Sequence, residues 1–200
     1  MSGFYKVIRI IIIPIFKWLL PVKVIGAENM PKEGGLILCS NHTSVSDPIF
    51  MIANFKRQIN FMAKAELFKN GIFRFVLSRM GAFAVERGKG DMSAIHHAEE
   101  LIKEGKILGI FPEGTRYVTG APRKAKSGIA YIAMDTKSDV LPVSVYREGK
   151  YCIFKKTTIR VGELIKYEDL IDSELADRAN MRKIVDRVTG SITELWEMKH

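Results

Sequence analysis

The sequence predicts a single α/β domain whose mostly parallel or mixed central sheet is covered by helices on both faces. Apolar runs rich in β-branched residues, which are typical of buried strands, alternate along the chain with segments of helical periodicity. Such alternation favours a layered arrangement of sheet and helices. The chain has 200 residues, of which 47% are apolar and 26% charged, as in ordinary globular proteins. A chain of this size has room for one hydrophobic core, so we predict one domain.

The amino-terminal segment differs from the rest of the chain. Its apolar stretch, residues 7–20, contains two cations and a proline, and as a helix it would reach about 21 Å against a hydrocarbon core of roughly 30 Å. We therefore expect no bilayer span, and no signal peptide, because no small-residue cleavage site follows. A helix packed on the domain is one alternative. Isoleucine-rich sequence with cations and Trp18 at its margins favours a membrane-interfacial helix, so we assign residues 1–25 to a membrane-associating segment.

Strands and helices then follow in order after a glycine-bounded linker at residues 26–35. The predicted strands are GLILCS at 35–40, INFMAK at 59–64, AFAVE at 82–86, ILGIF at 107–111, VLPVSV at 140–145 and TTIRVG at 157–162. The predicted helices lie at 48–55, 66–80, 92–104, 127–136 and in the carboxyl-terminal region.

Capping residues and apolar periodicity predict these helices. Asp47 before Pro48 is typical of a helix start, and Asp91 and Gly105 are typical of a start and an end. The helix at 66–80 carries an apolar face of Leu67, Ile72, Phe73, Val76 and Leu77. The carboxyl-terminal helix carries Met181, Ile184, Val185, Val188, Ile192, Leu195 and Trp196 on one side.

The charge balance favours an anionic partner. Lys and Arg outnumber Asp and Glu by 31 to 22, which suits nucleic acid, a phosphorylated small molecule or an acidic membrane surface. We expect no nucleic-acid partner, because no zinc-finger spacing, RNP-type motif or helix-turn-helix signature accompanies the charge. Cys39 and Cys152 lie far apart without C-x-x-C spacing, so we predict no metal site and no disulfide, and a reduced cytoplasmic setting fits.

Polar clusters at residues 41–47, 86–88 and 113–116 each follow a predicted strand. Ligands of such sheets bind beyond the carboxyl ends of the strands, so we expect these clusters to converge on one edge. His42 and Asp47 are five residues apart, about 140° on a helix, and need a loop to meet. In a loop the carboxylate can fix one imidazole tautomer and leave the other nitrogen as a base. Alternatively, Asp47 only caps a helix while nearby serines serve local turns.

The stretch FPEGTRYVTGAPRKAKSG, residues 111–128, has the composition of a phosphate site. It combines a glycine turn, a carboxylate and four cations, which are Arg116, Arg123, Lys124 and Lys126. Arg87, just after the third strand, is a further candidate. The alternative is a solvated basic loop, which applies most directly to Lys124.

Four blocks, in order, resemble the glycerolipid acyltransferases, and specifically the 1-acylglycerol-3-phosphate O-acyltransferases. NHTSVSD at 41–47 is similar to their N-H-x-S-x-x-D (HX4D) motif, GAFAVERG at 81–88 to the second block, FPEGTR at 111–116 to the third and VLPVSV at 140–145 to the fourth. AKAEL at 63–67 is similar to their lysine-containing segment. Glu86 replaces a frequent aspartate and Thr43 a frequent glutamine. The resemblance assigns residues 26–200 to a glycerolipid acyltransferase domain with its motif-bearing core at 36–147.

The resemblance implies transfer of a fatty acyl group from acyl-CoA or acyl carrier protein to the sn-2 hydroxyl of lysophosphatidic acid, without a cofactor or metal. His42 would remove the hydroxyl proton, and Asp47 would orient and stabilise His42. The implied substrate-binding residues are Lys64, Arg87, Glu113, Gly114, Thr115, Arg116 and Lys126. Backbone amides near Gly114 are candidates for the oxyanion site. We expect a peripheral or monotopic protein on the cytoplasmic face of the cell membrane.

Three alternatives compete with this interpretation. A hydrolase would use Ser44, Ser46 or Cys39 as nucleophile, but no G-x-S-x-G elbow is present and Cys39 lies inside an apolar run. A non-catalytic membrane-binding module would leave His42 and Asp47 without a role. Within the acyltransferases, glycerol-3-phosphate or another lysophospholipid is an alternative acceptor, since each offers a hydroxyl and a phosphate.

Overall fold

A computed structural model of the chain describes residues 14, 21–86, 91–117, 121–147 and 156–198. Its strands are β1 (Val22–Ile25), β2 (Leu36–Ser40), β3 (Ile59–Lys64), β4 (Phe83–Val85), β5 (Ile107–Ile110), β6 (Val140–Arg147) and β7 (Thr157–Val161). Its α-helices are α1 (Asp47–Asn54), α2 (Gly71–Arg79), α3 (Met92–Lys103), α4 (Gly128–Thr136), α5 (Tyr167–Leu170) and α6 (Asp177–Glu197). Short 3-10 turns cover Ala27–Asn29 and Ala65–Phe68.

The strands form one mixed sheet in the order β1-β7-β6-β2-β5-β3-β4. The five strands from β6 to β4 are mutually parallel, β7 runs antiparallel to β6, and β1 is parallel to β7. Cys39 pairs with Ile110, and Lys64 with Val85, so the carboxyl ends of β2, β5, β3 and β4 lie along one edge. The predicted fold class is confirmed, and the predicted convergence of strand ends follows from this register.

The core has two halves, one on each face of the sheet. Leu36 and Leu38 of β2 pack with α1 on one face, whereas Ile37 and Cys39 pack on the other with α3, α4 and α6. Every residue of β2 is buried, because both faces of a parallel strand are covered. This explains why the strand reads as an uninterrupted apolar run.

A buried cation ties the carboxyl end of α6 to the sheet. Arg160 of β7 donates from Nη1 to the backbone oxygens of Leu195 at 2.8 Å and Trp196 at 3.0 Å. These oxygens belong to the last turn of α6, where carbonyls lack helical partners and a positive charge is favourable. The predicted apolar side of α6 is confirmed, with four of its members buried: Ile184, Val185, Val188 and Ile192.

The predicted helix at residues 66–80 is divided. The side chain of Asn70 accepts hydrogen bonds from the amides of Ile72 and Phe73, so the α-helix begins only after it. The predicted apolar face is not packed into the core, because Leu67, Ile72 and Phe73 are exposed. The sequence periodicity predicts that these residues share a helix face, but it does not predict whether other parts of the protein pack on that face.

The sheet begins before the predicted boundary at residue 25. Val22–Ile25 pair in parallel with β7, whereas the sequence pattern had assigned them to the membrane-associating segment. The predicted interfacial helix at residues 7–20 lies outside the described residues, apart from Pro14. Among the helices in the described ranges, none has the length and apolar character needed to cross a bilayer.

Candidate active site

Asn41 fixes the chain where it leaves β2. Its side-chain nitrogen donates to the backbone oxygen of Val145 at 3.0 Å, and its side-chain oxygen accepts from the Val145 amide at 2.7 Å. The buried amide group thereby substitutes for a further pair of ladder hydrogen bonds to β6. His42 consequently starts from a rigid position at the carboxyl edge of the sheet.

His42 and Asp47 are in direct contact. The imidazole Nδ1 lies 2.9 Å from Asp47 Oδ2, and the side chains are 12% and 0% exposed, respectively. The His42 ring also stacks on Phe111, with ring centroids 4.0 Å apart. With Nδ1–H donated to the carboxylate, the lone pair of Nε2 is available to accept a proton. The loop geometry expected from the five-residue spacing is present.

Asp47 is held ionised although it is buried. Burial by itself would raise the pKa of this carboxyl, but the hydrogen bond from His42, the charge of Arg147 and the Ser44 amide together lower it below its ordinary value. The amides of Thr43 and Ser44 both donate to Oδ2 at 2.7 Å. Asp47 is the first residue of α1 and Ser46 holds the N-cap position, so the expected aspartate cap is displaced by one residue. Its carboxylate faces back towards the loop.

Arg147, which the sequence did not single out, completes the surroundings of Asp47. Its guanidinium contacts Asp47 Oδ1 and Thr43 Oγ1, and its Nε donates to Thr157 Oγ1 at 3.0 Å. It also lies over the Phe50 ring, 4.9 Å from the centroid, and its side chain is only 8% exposed. Arg147 ends β6, the parallel neighbour of β2. Its position two residues beyond the predicted strand at 140–145 is the one sequence signal for it, and that signal alone does not mark it out from the other cations of the chain.

Glu113 is a second buried carboxyl beside the pair. Its Oε1 accepts from the Arg123 amide at 3.2 Å, whereas Oε2 has no hydrogen-bond partner among the described residues. Burial raises the pKa of Glu113 to about 7, against the opposing effect of the Arg123 and His42 amides, and the charge of Asp47 adds to the increase. Near neutral pH this carboxyl therefore carries a proton for much of the time.

The glycine turn brings a lysine to the site. Gly114 has φ +71°, and its amide donates to the Phe111 oxygen at 3.1 Å. The Lys126 amide donates to the Pro112 oxygen at 2.8 Å, and Lys126 Nζ lies 2.9 Å from where a side chain on Gly114 would begin. The Gly114 amide is thus used within the turn, which removes it as an oxyanion donor. The turn therefore brings Lys126 and Gly114 together.

The rest of the basic loop divides into anchored and exposed cations. The Tyr117 amide donates to the His42 oxygen at 2.9 Å, which fixes the loop beside the pair, and Thr115 and Arg116 just before it are exposed. The Arg123 guanidinium lies 3.6 Å from the centroid of the Tyr117 ring. Lys124 forms an exposed ion pair with Asp186 of α6 at 2.8 Å, in line with the solvated-loop alternative.

The remaining two predicted cations are less closely defined. Lys64 ends β3 at the same sheet edge, is exposed, and pairs with Glu66 at 2.9 Å. Arg87 lies outside the described residues. The structure therefore brings together His42, Asp47 and Glu113, and places Lys126 against Gly114 in the adjoining turn. Lys64 lies exposed at the same sheet edge.

The candidate nucleophiles of a hydrolase are unsuited to attack. The Ser44 and Ser46 hydroxyls lie 2.9 Å apart and hydrogen-bond to each other within the turn. Cys39 is fully buried in β2, and burial raises the pKa of its thiol far above the ordinary value. A buried thiol without thiolate character is a structural residue.

The fold and this edge of the sheet define an acyltransferase: residues 21–146 match the family model described as Acyltransferase, and the chain belongs to that family. It is similar to the 1-acyl-sn-glycerol-3-phosphate acyltransferase of Borreliella burgdorferi, with 34% identity over 70% of this chain and 58% of that protein. The Bacillus subtilis enzyme of the same name is 32% identical over 87% of each chain. The crystal structure of the 1-acyl-sn-glycerophosphate (LPA) acyltransferase PlsC from Thermotoga maritima superimposes with a TM-score of 0.69 and 26% identity, over 97% of this chain and 81% of that one.

Proposed function

We propose that this protein transfers a fatty acyl group from an acyl thioester to the sn-2 hydroxyl of 1-acylglycerol-3-phosphate, which gives phosphatidic acid for phospholipid biosynthesis. The observation that carries the proposal is the 2.9 Å contact between His42 and the buried, ionised Asp47 beside a basic loop. The names of the two bacterial relatives and of the Thermotoga structure support this acceptor.

In the proposed reaction His42 acts as general base. Nε2 takes the proton of the acceptor hydroxyl while the hydroxyl oxygen attacks the thioester carbonyl carbon. The carbon–sulfur bond breaks as the new ester forms. The proton on His42 then neutralises the departing thiolate. Asp47 stabilises the imidazolium and keeps Nδ1 occupied. Atoms and charge balance without a metal, a cofactor or an acyl-enzyme intermediate, and we propose none.

The acceptor phosphate is proposed to lie against the basic loop. Lys126 approaches the Gly114 turn, and Arg116 is exposed beside it. Lys64 and Arg87 are the proposed outer cations, and Thr115 a hydroxyl partner. Glu113 is proposed to support the acceptor site by fixing an arginine or a glycerol hydroxyl; its Oε2 is buried and has no hydrogen-bond partner among the described residues.

The proposal extends to the cellular setting. We propose that the chain works at the cytoplasmic face of the membrane as a peripheral or monotopic protein, with an anionic membrane surface and no nucleic acid as partner. Acyl-CoA and acyl carrier protein are both proposed donors. Glycerol-3-phosphate and other lysophospholipids remain acceptors to be tested, since they share the hydroxyl and the phosphate.

A transfer assay with purified protein tests the proposal. Lysophosphatidic acid and glycerol-3-phosphate are offered against both donor types, with His42→Ala and the double variant Ser44→Ala, Ser46→Ala. We expect lysophosphatidic acid to be acylated, His42→Ala to lower the rate by about 100- to 10,000-fold, and the serine variant to retain most activity. Circular dichroism and thermal unfolding confirm that each variant is folded. Unchanged transfer by His42→Ala, or an acyl group trapped on a serine, would contradict the mechanism.

A further inference from the structure

Helix α2 exposes apolar side chains that the core does not use. Ile72, Phe73 and Phe75 are 77%, 57% and 52% exposed, and Leu67 in the preceding turn is 47% exposed. None of the nine residues of α2 is buried. We name Leu67, Ile72, Phe73 and Phe75 the α2 surface. Exposed apolar groups concentrated on one short helix and the turn before it are typical of contact sites for proteins or membranes.

The charges around the α2 surface are those that an anionic surface would attract. The sequence GIFRFVLSR of α2 has two arginines and no acidic residue, and Lys69 precedes it. The Arg79 guanidinium lies 5.0 Å from the centroid of the Phe75 ring, so cationic and aromatic groups are interleaved. Glu66, the nearby acid, is engaged by Lys64 at 2.9 Å. Aromatic and aliphatic groups among cations are characteristic of interfacial helices.

The position of α2 connects this surface with the active site. The 3-10 turn holding Leu67 directly follows β3, and β3 ends at the same edge of the sheet as β2 and β5, which deliver His42 and Glu113. The amino end of α2 is thus on the site's side of the molecule. A lipid bilayer against Leu67, Ile72 and Phe73 would face the edge at which the proposed acceptor reacts.

We propose that the α2 surface docks on an anionic lipid bilayer, as a contact separate from the amino-terminal segment, and so presents the active-site edge to membrane-embedded acceptor. The second half of this inference rests on the proposed function, because it takes the acceptor to be a lipid. The first half concerns binding alone and is measured without substrate.

Vesicle co-sedimentation of the full chain tests the docking. The probes are vesicles of phosphatidylcholine alone and of phosphatidylcholine mixed with phosphatidylglycerol. The test variant replaces the three exposed apolar residues of α2: Ile72→Ser, Phe73→Ser and Phe75→Ser. The control replaces three other exposed apolar residues, which lie on and beside α4 and α6 and are 41%, 42% and 52% exposed: Tyr131→Ser, Leu175→Ser and Met198→Ser. Neither set contains a buried residue, so both variants should fold.

We expect the partition coefficient of the α2 variant on mixed vesicles to fall by about ten-fold or more, with the control unchanged. Arg74→Gln, which keeps every apolar group, is expected to weaken binding about five-fold on mixed vesicles and little on phosphatidylcholine. In transfer assays, the α2 variant should raise KM for vesicle-embedded acceptor but not for a water-soluble short-chain acceptor.

Several results would overturn the docking. Equal partitioning of the α2 variant and the control is one. A change of oligomeric state in sedimentation velocity, with vesicle binding retained, would identify a second copy as the occupant. A lowered thermal midpoint with vesicle binding retained would identify a segment of the same chain. If neither the parent protein nor any variant transfers acyl groups, the proposed function is wrong. The vesicle-binding measurements then still test the docking of the α2 surface.

Discussion

Replacing Arg147 with methionine is expected to lower both the stability of the fold and the activity at low pH, because it removes the cation that contacts Asp47. Methionine keeps the stem over the Phe50 ring but removes the cation that contacts Asp47 Oδ1 and Thr43 Oγ1. Asp47 is fully buried, so the change leaves an ionised carboxylate with only neutral donors and His42. In the proposed reaction Arg147 is a positioning residue, because it acts through Asp47.

The magnitude follows from the burial of both partners. Removing one member of a buried ion pair typically costs about 3–5 kcal/mol, and the neutral donors that remain around Asp47 favour the lower end, about 3 kcal/mol. The charge of Arg147 helps to hold the pKa of Asp47 below its ordinary value, so the variant should raise that pKa. A lowered carboxyl pKa stabilises the fold above the unfolded-state pKa, and this stability is lost as pH falls through the folded-state pKa. In Arg147→Met the contribution is smaller and is lost at higher pH.

Urea unfolding and the pH profile of kcat/KM measure these effects. Arg147→Met should lose about 3 kcal/mol of unfolding free energy at neutral pH and move the acidic limb of the profile to higher pH. Arg147→Lys should have a stability and a pH profile between those of the parent protein and Arg147→Met, because lysine keeps the charge but not the planar guanidinium. Combined with Asp47→Asn, the loss should be smaller than the sum of the single losses. Additive losses with an unchanged pH profile would refute the reasoning.

Two further predictions concern the basic loop. The pKa of Glu113 is raised to about 7 from an ordinary 4.5, so the free energy of unfolding of the parent protein should fall by up to about 3 kcal/mol as pH rises from 4.5 to 7. Glu113→Gln should abolish this fall, which urea unfolding at pH values below 4.5 and above 7 measures. Parallel parent and variant curves would contradict it. Gly114→Ala should lower the free energy of unfolding by about 1–2 kcal/mol, because Gly114 has a left-handed φ, and should raise KM for the acceptor but not for the donor, because the new methyl group displaces Lys126. The matched control is Lys124→Ala, which changes an exposed lysine of the same loop. An equal effect on KM in both variants would remove Lys126 from the site.

Much of the site was predictable because a parallel sheet has a direction. Once the apolar runs 35–40 and 107–111 are taken as neighbouring parallel strands, the polar residues that follow them must meet at the carboxyl edge. His42 and Glu113 lie at this edge, and their proximity could be predicted from strand order and direction alone. The five-residue spacing excluded a shared helix face and so required the loop that the structure has.

What escaped prediction depends on contacts between distant parts of the chain. Arg147 is 100 residues from Asp47, and nothing local distinguishes it among 31 cations. Strand β1 lies in a sequence whose apolar character also suits a membrane segment, and only pairing with β7 identifies it as part of the sheet. For α2, periodicity gives an apolar arc, but whether protein or lipid covers that arc is decided by the surroundings.

The pKa values of the two buried carboxyls of the site are moved in opposite directions by their surroundings. Asp47 accepts from His42, from two backbone amides and from Arg147, which outweighs the cost of burial and keeps it anionic. At Glu113 the effect of burial outweighs that of the Arg123 and His42 amides, and its pKa rises to about 7. Environments that separate two pKa values in this way assign different tasks to like groups. In the proposed reaction Asp47 therefore carries the negative charge needed behind His42, while Glu113, partly protonated near neutral pH, adds less negative charge beside the acceptor phosphate.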